Sequence, residues 1–250
     1  MNYATNEILL YDLGTRPASF DFVTCVSNAI PLGIKHVRFV LGKWKKKNYS
    51  LEQAEERYRS IVEPAVALFG LTYSVGEPVG VPVSHFFNAS MEIYKNTGKN
   101  GKIITPCDVK DYITITLRKS RNPERDSKEQ EWMKFADRCG RKAIIIRDYE
   151  ERPLDLADRM KLYANAYMNL MVINGPLTLC IHSDAPYISM RTIGCERSGS
   201  TSPWHMKQIG IEPGFQFPWA NARQRLSYLD DTCENIEKEY RAMTEERLAA

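Results

Sequence analysis

The sequence predicts an α/β chain in which helices cover parallel sheets, and three observations carry that expectation. Short apolar runs alternate with longer amphipathic stretches along most of the chain, the rhythm of repeated β–α–β units. The runs Ala143–Ile146 (AIII) and Leu170–Ile173 (LMVI) are apolar on both faces, as strands buried on both sides must be. A stretch rich in Gly and Pro over residues 76–106 separates two such sets of runs. With right-handed crossovers these sets become two compact Rossmann-like parallel-sheet units, residues 1–106 and 107–250.

The elements follow in order. Ile8–Asp12 reads as a buried strand ending in turn residues, and residues 19–32 as a helix stopped by Gly33. His36–Leu41 is a second strand closed by Gly42. Residues 51–69 place Leu51, Ala54, Tyr58, Ile61, Val62, Ala65 and Phe69 on one helical face, with a kink expected at Pro64. Leu71–Val75 is a third strand, and a short helix is expected near 84–95. In the second set, strand Tyr112–Leu117 leads through a charged loop to a helix over 128–139 that ends at Gly140. Strand Ala143–Arg147 precedes a helix from Leu154 to Ala166, and strand Leu170–Ile173 precedes a short helix to Ser183. Strand Tyr187–Arg191, a short segment near 203–209 and a terminal helix carrying Leu226, Leu229, Cys233, Ile236 and Tyr240 complete the chain.

Composition narrows the classes of function. Hydrophobic content of 43% and charged content of 26% are those of a globular protein. No apolar stretch approaches the ~18 residues of a bilayer span, and MNYATNEILLYD has neither a basic n-region nor a small-residue cleavage site. No transmembrane segment and a cytoplasmic location are therefore expected. The six cysteines are scattered without a CxxC pair and read as free thiols, and the four histidines show no zinc spacing. Residues 1–110 carry 13 Lys/Arg against 10 Asp/Glu, whereas residues 111–250 carry 21 of each, so the net +3 lies in the first half, largely at Lys43–Lys47. That run is too weak for a duplex footprint, and no nucleic-acid partner is expected. It reads either as a solvated loop or as a patch for an anionic ligand.

In open parallel sheets ligands bind beyond the carboxyl ends of the strands. Those ends supply Asp12-Leu13-Gly14-Thr15-Arg16, Arg118-Lys119-Ser120-Arg121, Arg147-Asp148-Tyr149-Glu150 and Asn174-Gly175-Pro176. Neither GxGxxG nor GxxxxGK[ST] occurs, which counts against a dehydrogenase and a P-loop enzyme. The turn at 174–176 offers another route to phosphate. Asn174 or Gly175 can cap a helix, Pro176 presets its first φ, and the N–H groups of Leu177, Thr178 and Leu179 are expected to be open to an anion. Arg118 ends an apolar strand and must find a buried partner or a ligand; Arg121, Arg125 and Lys128 share its loop. The same loop holds Glu124, Asp126 and Glu129, so self-pairing is the alternative.

The runs YITITLRKSR, EWMKFAD, IIIRDYE and LYANAYMNLMVINGPLTLCIHSDAPYISM, with the tail FPWANARQRLSYLDDTCENI, resemble the donor-binding half of GT-B glycosyltransferases, most of all the heptosyltransferase group and the fucosyltransferase-like proteins. The resemblance covers about residues 110–240. It implies a GT-B-like architecture in which 1–106 serves the acceptor and 107–250 the nucleotide sugar. It also implies that the helix start at Gly175-Pro176 abuts the donor diphosphate and that Arg118 binds pyrophosphate. The chain departs from the heptosyltransferase pattern at Ile173-Asn174-Gly175, where that pattern has Asp-(Ser/Thr)-Gly before the proline, and at Thr178, where it has histidine.

The expected activity is metal-independent transfer of a sugar from a nucleotide sugar to an acceptor hydroxyl, whether of a glycan, a lipid-linked sugar or a protein. No cofactor is expected, and no DxD motif occurs. The leaving diphosphate falls to Arg118, Arg121, Lys128 and the 174–178 turn, and Asp148 or Glu150 is a candidate for the nucleoside hydroxyls. A general base is sought in the first half, with Asp12, Asp21 and His85 as candidates. Asp12 also reads as a turn former and Asp21 as a first-turn helix residue. The alternatives are a non-catalytic nucleotide- or sugar-binding relative and a sugar-nucleotide epimerase.

Overall fold

A computed structural model of the protein describes residues 3–16, 18–42, 50–120, 123–147, 154–194 and 201–245. The Lys43–Lys47 run lies outside them. The chain divides into two compact units, Met1–Thr105 with Asp155–Met160, and Pro106–Leu154 with Lys161–Ala250.

The first unit contains β1 (Ile8–Asp12), α1 (Asp21–Ala29), β2 (His36–Val40), α2 (Leu51–Arg57), α3 (Glu63–Leu68), β3 (Thr72–Val75) and α4 (Phe87–Thr97). Its strands run parallel in the order β1-β2-β3. After β3 the chain returns to the far side of β1, where Val81 bridges Leu9 in parallel and exchanges backbone hydrogen bonds with Ile8 and Leu10. Gly80 makes this return possible: its φ is +127°, and a Cβ there would stand 2.5 Å from the Ile8 carbonyl oxygen. Tyr11, Phe22 and Phe39 pack as an aromatic core, with Tyr11 and Phe22 edge to face at 4.5 Å.

The single kinked helix expected over 51–69 is instead two helices joined by a π turn at Tyr58–Val62. Pro64 has no N–H to donate and its ring would strike the carbonyl four residues back, so the turn before it widens. The Glu63 N–H accordingly bonds to the Tyr58 oxygen.

The second unit contains β4 (Tyr112–Leu117), α5 (Glu129–Arg138), β5 (Lys142–Arg147), α6 (Leu156–Asn165, its first residues clustering with the first unit), β6 (Met168–Val172), α7 (Leu177–Ile181), β7 (Tyr187–Met190), α8 (Pro203–Gln208), β8 (Gln224–Leu226) and α9 (Cys233–Glu245). All five strands are parallel, in the order β5-β4-β6-β7-β8. Ile113, Ile115 and Leu117 of β4 and Leu170 and Val172 of β6 face Trp132 and Phe135 of α5 and Ile236 and Tyr240 of α9. The opposite face is buried but polar. Asn169 accepts from Thr114 at 2.6 Å and donates to the carbonyls of Tyr163 and Pro186, while Thr116 bonds the Tyr163 hydroxyl at 2.7 Å. The LMVI run, in β6, is buried on both faces as expected, whereas AIII lies in the edge strand β5 and is mostly half-buried because only one of its sides is paired; the α/β class with parallel sheets holds. No described helix is long and apolar enough to cross a membrane.

Candidate functional site

The second sheet reverses its strand order between β4 and β6, so its crevice lies where those two strands end. Arg118 follows β4 directly. Its backbone N–H donates to the Ser127 hydroxyl at 2.9 Å, and the Ser127 N–H returns a bond to the Arg118 carbonyl at 3.0 Å, closing the 118–127 loop upon itself. The Arg118 Nη1 donates to the Ile173 carbonyl at 3.1 Å, tying the ends of β4 and β6 together. Its Nε is buried without a hydrogen-bond partner among the described residues. Leu117, Arg118, Lys119, Asp126, Ser127 and Glu129 wall a cleft of about 150 Å³.

Two further arginines stand near it. Burial first, then the positive charges of Arg125 and Arg191, push the Arg118 pKa down to about 10, with Asp126 opposing them. Arg125, Val172, Ile173, Arg191, Gly194 and Thr201 line a small cavity beside the ends of β6 and β7. Arg191 follows β7, and its φ of 49° is the one positive value at a non-glycine among the described residues. Its Nη2 donates to the Asp126 carbonyl, its Nη1 to the Glu124 carbonyl at 3.3 Å, and its Nε stands 3.5 Å from Asp231 Oδ1. Asp231 has no exposed surface. Its Oδ2 accepts from the Lys128 N–H and from Trp132 Nε1, both at 2.9 Å.

The turn at 174–178 differs from expectation. The N–H groups of Leu177, Thr178 and Leu179 are all taken, by Asn174 Oδ1 at 3.0 Å, the Gly175 carbonyl at 3.1 Å and the Pro176 carbonyl at 3.1 Å. The helix they open is five residues long, and Pro176, Leu177 and Thr178 are buried, so no row of open donors faces an anion. Short helices satisfy their first donors locally because the turn that caps them is also most of the helix. Lys128 is likewise engaged elsewhere, its ammonium paired with Asp230. Arg121 and Asp148, with Glu150, lie outside the described residues.

In the first unit the order reverses between β1 and the Val81 segment, and the three base candidates belong to this region of the sequence. Asp12 is a turn former: Oδ1 accepts the Gly14 N–H at 2.8 Å and Oδ2 the Thr15 hydroxyl at 3.2 Å. Asp21 opens α1, is exposed and accepts from the Ser19 hydroxyl at 3.0 Å. His85 is half-buried against Phe86. Burial lowers its pKa, Asp21 raises it and Arg16 lowers it again, so both charged neighbours act on the imidazole. Arg16 donates to the Val83 carbonyl at 2.6 Å, and its guanidinium lies over the Tyr11 ring. Among the described residues no group of three or more His, Cys, Asp or Glu side chains is arranged to hold a metal ion.

Arg191 and Asp231 escaped sequence reasoning as site residues. Arg191 was legible only as the last residue of an apolar strand, the same signal that marked Arg118, and Asp231 carried none.

No protein-family model matches the chain, and no curated protein matches it by sequence. Its fold does match a solved structure, the bacterial iron-containing dodecameric glycosyltransferase TibC from enterotoxigenic E. coli H10407. The two are 10% identical and superpose with a TM-score of 0.51 over 96% of this chain and 77% of that one. The chain therefore has a glycosyltransferase-like α/β fold of parallel sheets, and the resemblance drawn from its motifs holds at the level of fold.

Proposed function

We propose that the protein is a glycosyltransferase that takes a sugar from a nucleotide-activated donor and passes it to an acceptor hydroxyl. The observation that carries this reading is Arg118, half-buried at the switch point of the second sheet beside an open cleft, its buried Nε without a hydrogen-bond partner among the described residues. A guanidinium in that position serves a diphosphate, whose charge grows as the glycosidic C–O bond breaks. The glycosyltransferase-like fold supports the same reading.

In the reaction, the acceptor oxygen forms a bond to the anomeric carbon while the bond to the diphosphate oxygen breaks. The acceptor proton passes to a base, and the nucleoside diphosphate departs against Arg118. Asp12 is committed to its turn, so the base is assigned to His85, with Asp21 acting on it. A lowered pKa leaves the imidazole neutral at neutral pH, the form that accepts a proton. The guanidinium of Arg118 is assigned the charge that develops on the leaving diphosphate. The assigned partners are a nucleotide sugar and a hydroxyl-bearing acceptor, with a cytoplasmic setting.

The test is a melting-temperature panel of nucleoside diphosphates and nucleotide sugars, followed by transfer assays. One or two nucleotides should raise the melting temperature, and Arg118→Ala should weaken their binding roughly 10- to 100-fold, the loss of a charge-assisted contact. His85→Ala should keep binding and lose transfer. A panel with no shift sinks the reading. Binding without transfer to any acceptor supports instead a non-catalytic nucleotide-sugar binder, a reading that Asp12 favours because both its carboxylate oxygens are used in the turn.

A further inference from the structure

Arg191 is unusual on three independent counts. It is the one described non-glycine residue with positive φ, a backbone state costing about 1 kcal/mol or more that persists only where surroundings impose it. Those surroundings are visible. The Arg191 N–H donates to the Leu229 carbonyl at 2.9 Å, and the Thr192 N–H to the Ser227 carbonyl at 3.0 Å, so the segment after β8 bends the end of β7. Its side chain is only 13% exposed, yet the carboxylate oxygen it faces among the described residues, Oδ1 of fully buried Asp231, is 3.5 Å away and makes no hydrogen bond. Finally, its positive charge acts on Arg118, so like charges are held together at the carboxyl edge of one sheet.

Asp231 links these features. Through Oδ2 it holds the Lys128 N–H and the Trp132 indole at the start of α5, where the 118–127 loop ends. Through Oδ1 it faces Arg191, whose two terminal nitrogens bond the carbonyls of Glu124 and Asp126 in that loop. A single buried carboxylate thus aligns the guanidinium after β7 with the loop that begins at Arg118.

We propose that Arg191 is a second diphosphate-binding residue of the donor site and that Asp231 is its positioning residue. This rests on the glycosyltransferase reading and deepens it. The ligand chemistry is a pyrophosphate group lying between the ends of β4 and β7, over Ile173. Arg191 reaches it through guanidinium edges not spent on the loop carbonyls, and Asp231 sets their direction without touching the ligand.

The experiment is calorimetric titration of the full chain with inorganic pyrophosphate and with the nucleoside diphosphate that shifts its melting temperature most, at fixed salt. Arg191→Gln should weaken both about tenfold or more and flatten the salt dependence of binding, while Arg191→Lys should retain part of the affinity. Asp231→Asn should weaken both several-fold in the native background but change nothing in the Arg191→Gln background, because a positioning residue acts only through its target. A general loosening of the fold would instead cost the same in both backgrounds. Should Asp231→Asn fail to fold, the Arg191 variants decide the question alone. If the native chain binds a diphosphate and Arg191→Gln binds it equally well, the inference falls while the glycosyltransferase reading stands. If the native chain binds neither ligand, both fall.

Discussion

His182 and Asp231 are both fully buried, and burial moves their proton equilibria in opposite senses. Burial lowers the His182 pKa to about 3, since a charged imidazole beneath Trp219 would lose its water. Burial raises that of Asp231, although the Lys128 N–H, Arg191 and Trp132 all pull it down. The histidine has a measurable consequence. Unfolded, it takes a proton near pH 6.5; folded, it stays neutral until about pH 3. The unfolded chain therefore binds the extra proton between those values, and stability that is complete above pH 6.5 is lost as pH falls. His182→Gln removes this dependence. Urea unfolding of the native chain and of this variant, compared from pH 6 to pH 4, should show their difference shrinking by somewhat over 1 kcal/mol per pH unit. A difference that stays constant with pH would mean that His182 is charged in the fold.

At the scale of elements, strands with strong apolar runs were legible and contacts made at long range were not. The spans of β1 and β4 read directly from ILLYD and YITITL because each buries most of its residues. By contrast β8 is three residues, Gln224–Leu226, with no run to announce it. It is held in place by Gln224, whose amide donates to the carbonyls of Cys180, Ser183 and Ala185, more than thirty residues away. The same reason hid the Asp231–Trp132 bond, which joins positions 99 apart. At α7 the turn chemistry was readable but its purpose was not: Asn-Gly-Pro does start a helix, and Asn174 spends its oxygen on capping Leu177. Asn174→Ala should lower stability by about 1 kcal/mol, the usual loss of such a cap, and leave diphosphate affinity within twofold. Denaturant melts and titrations on the same variant would separate the roles. A large loss of affinity at unchanged stability would return the phosphate to this turn.

Across the whole molecule, each sheet reverses strand order once, so each unit owns a crevice. The first lies between β1 and Val81, with Asp12 at the end of β1 and His85 four residues beyond Val81; the second lies between β4 and β6, with Arg118 at its edge. The fold alone does not say which crevice takes the nucleotide, because both obey the same rule. Charge decides it. The first has Asp21 and Arg16 acting oppositely on His85, whereas in the second Arg125 and Arg191 together outweigh Asp126 around Arg118. A diphosphate there would relieve the repulsion among the three arginines and would gain nothing comparable beside Asp21. Hydrogen exchange with and without saturating nucleotide tests this directly. A ligand at 100 times its Kd stabilises the state it binds by about 2.7 kcal/mol, enough to slow exchange markedly where it contacts the chain. Protection should centre on the carboxyl ends of β4, β6 and β7, in peptides spanning 113–120, 168–178 and 187–194, while peptides over 8–16 and 81–87 exchange as before. Protection centred on the latter pair would move the donor to the first sheet and reverse the assignment of the two units.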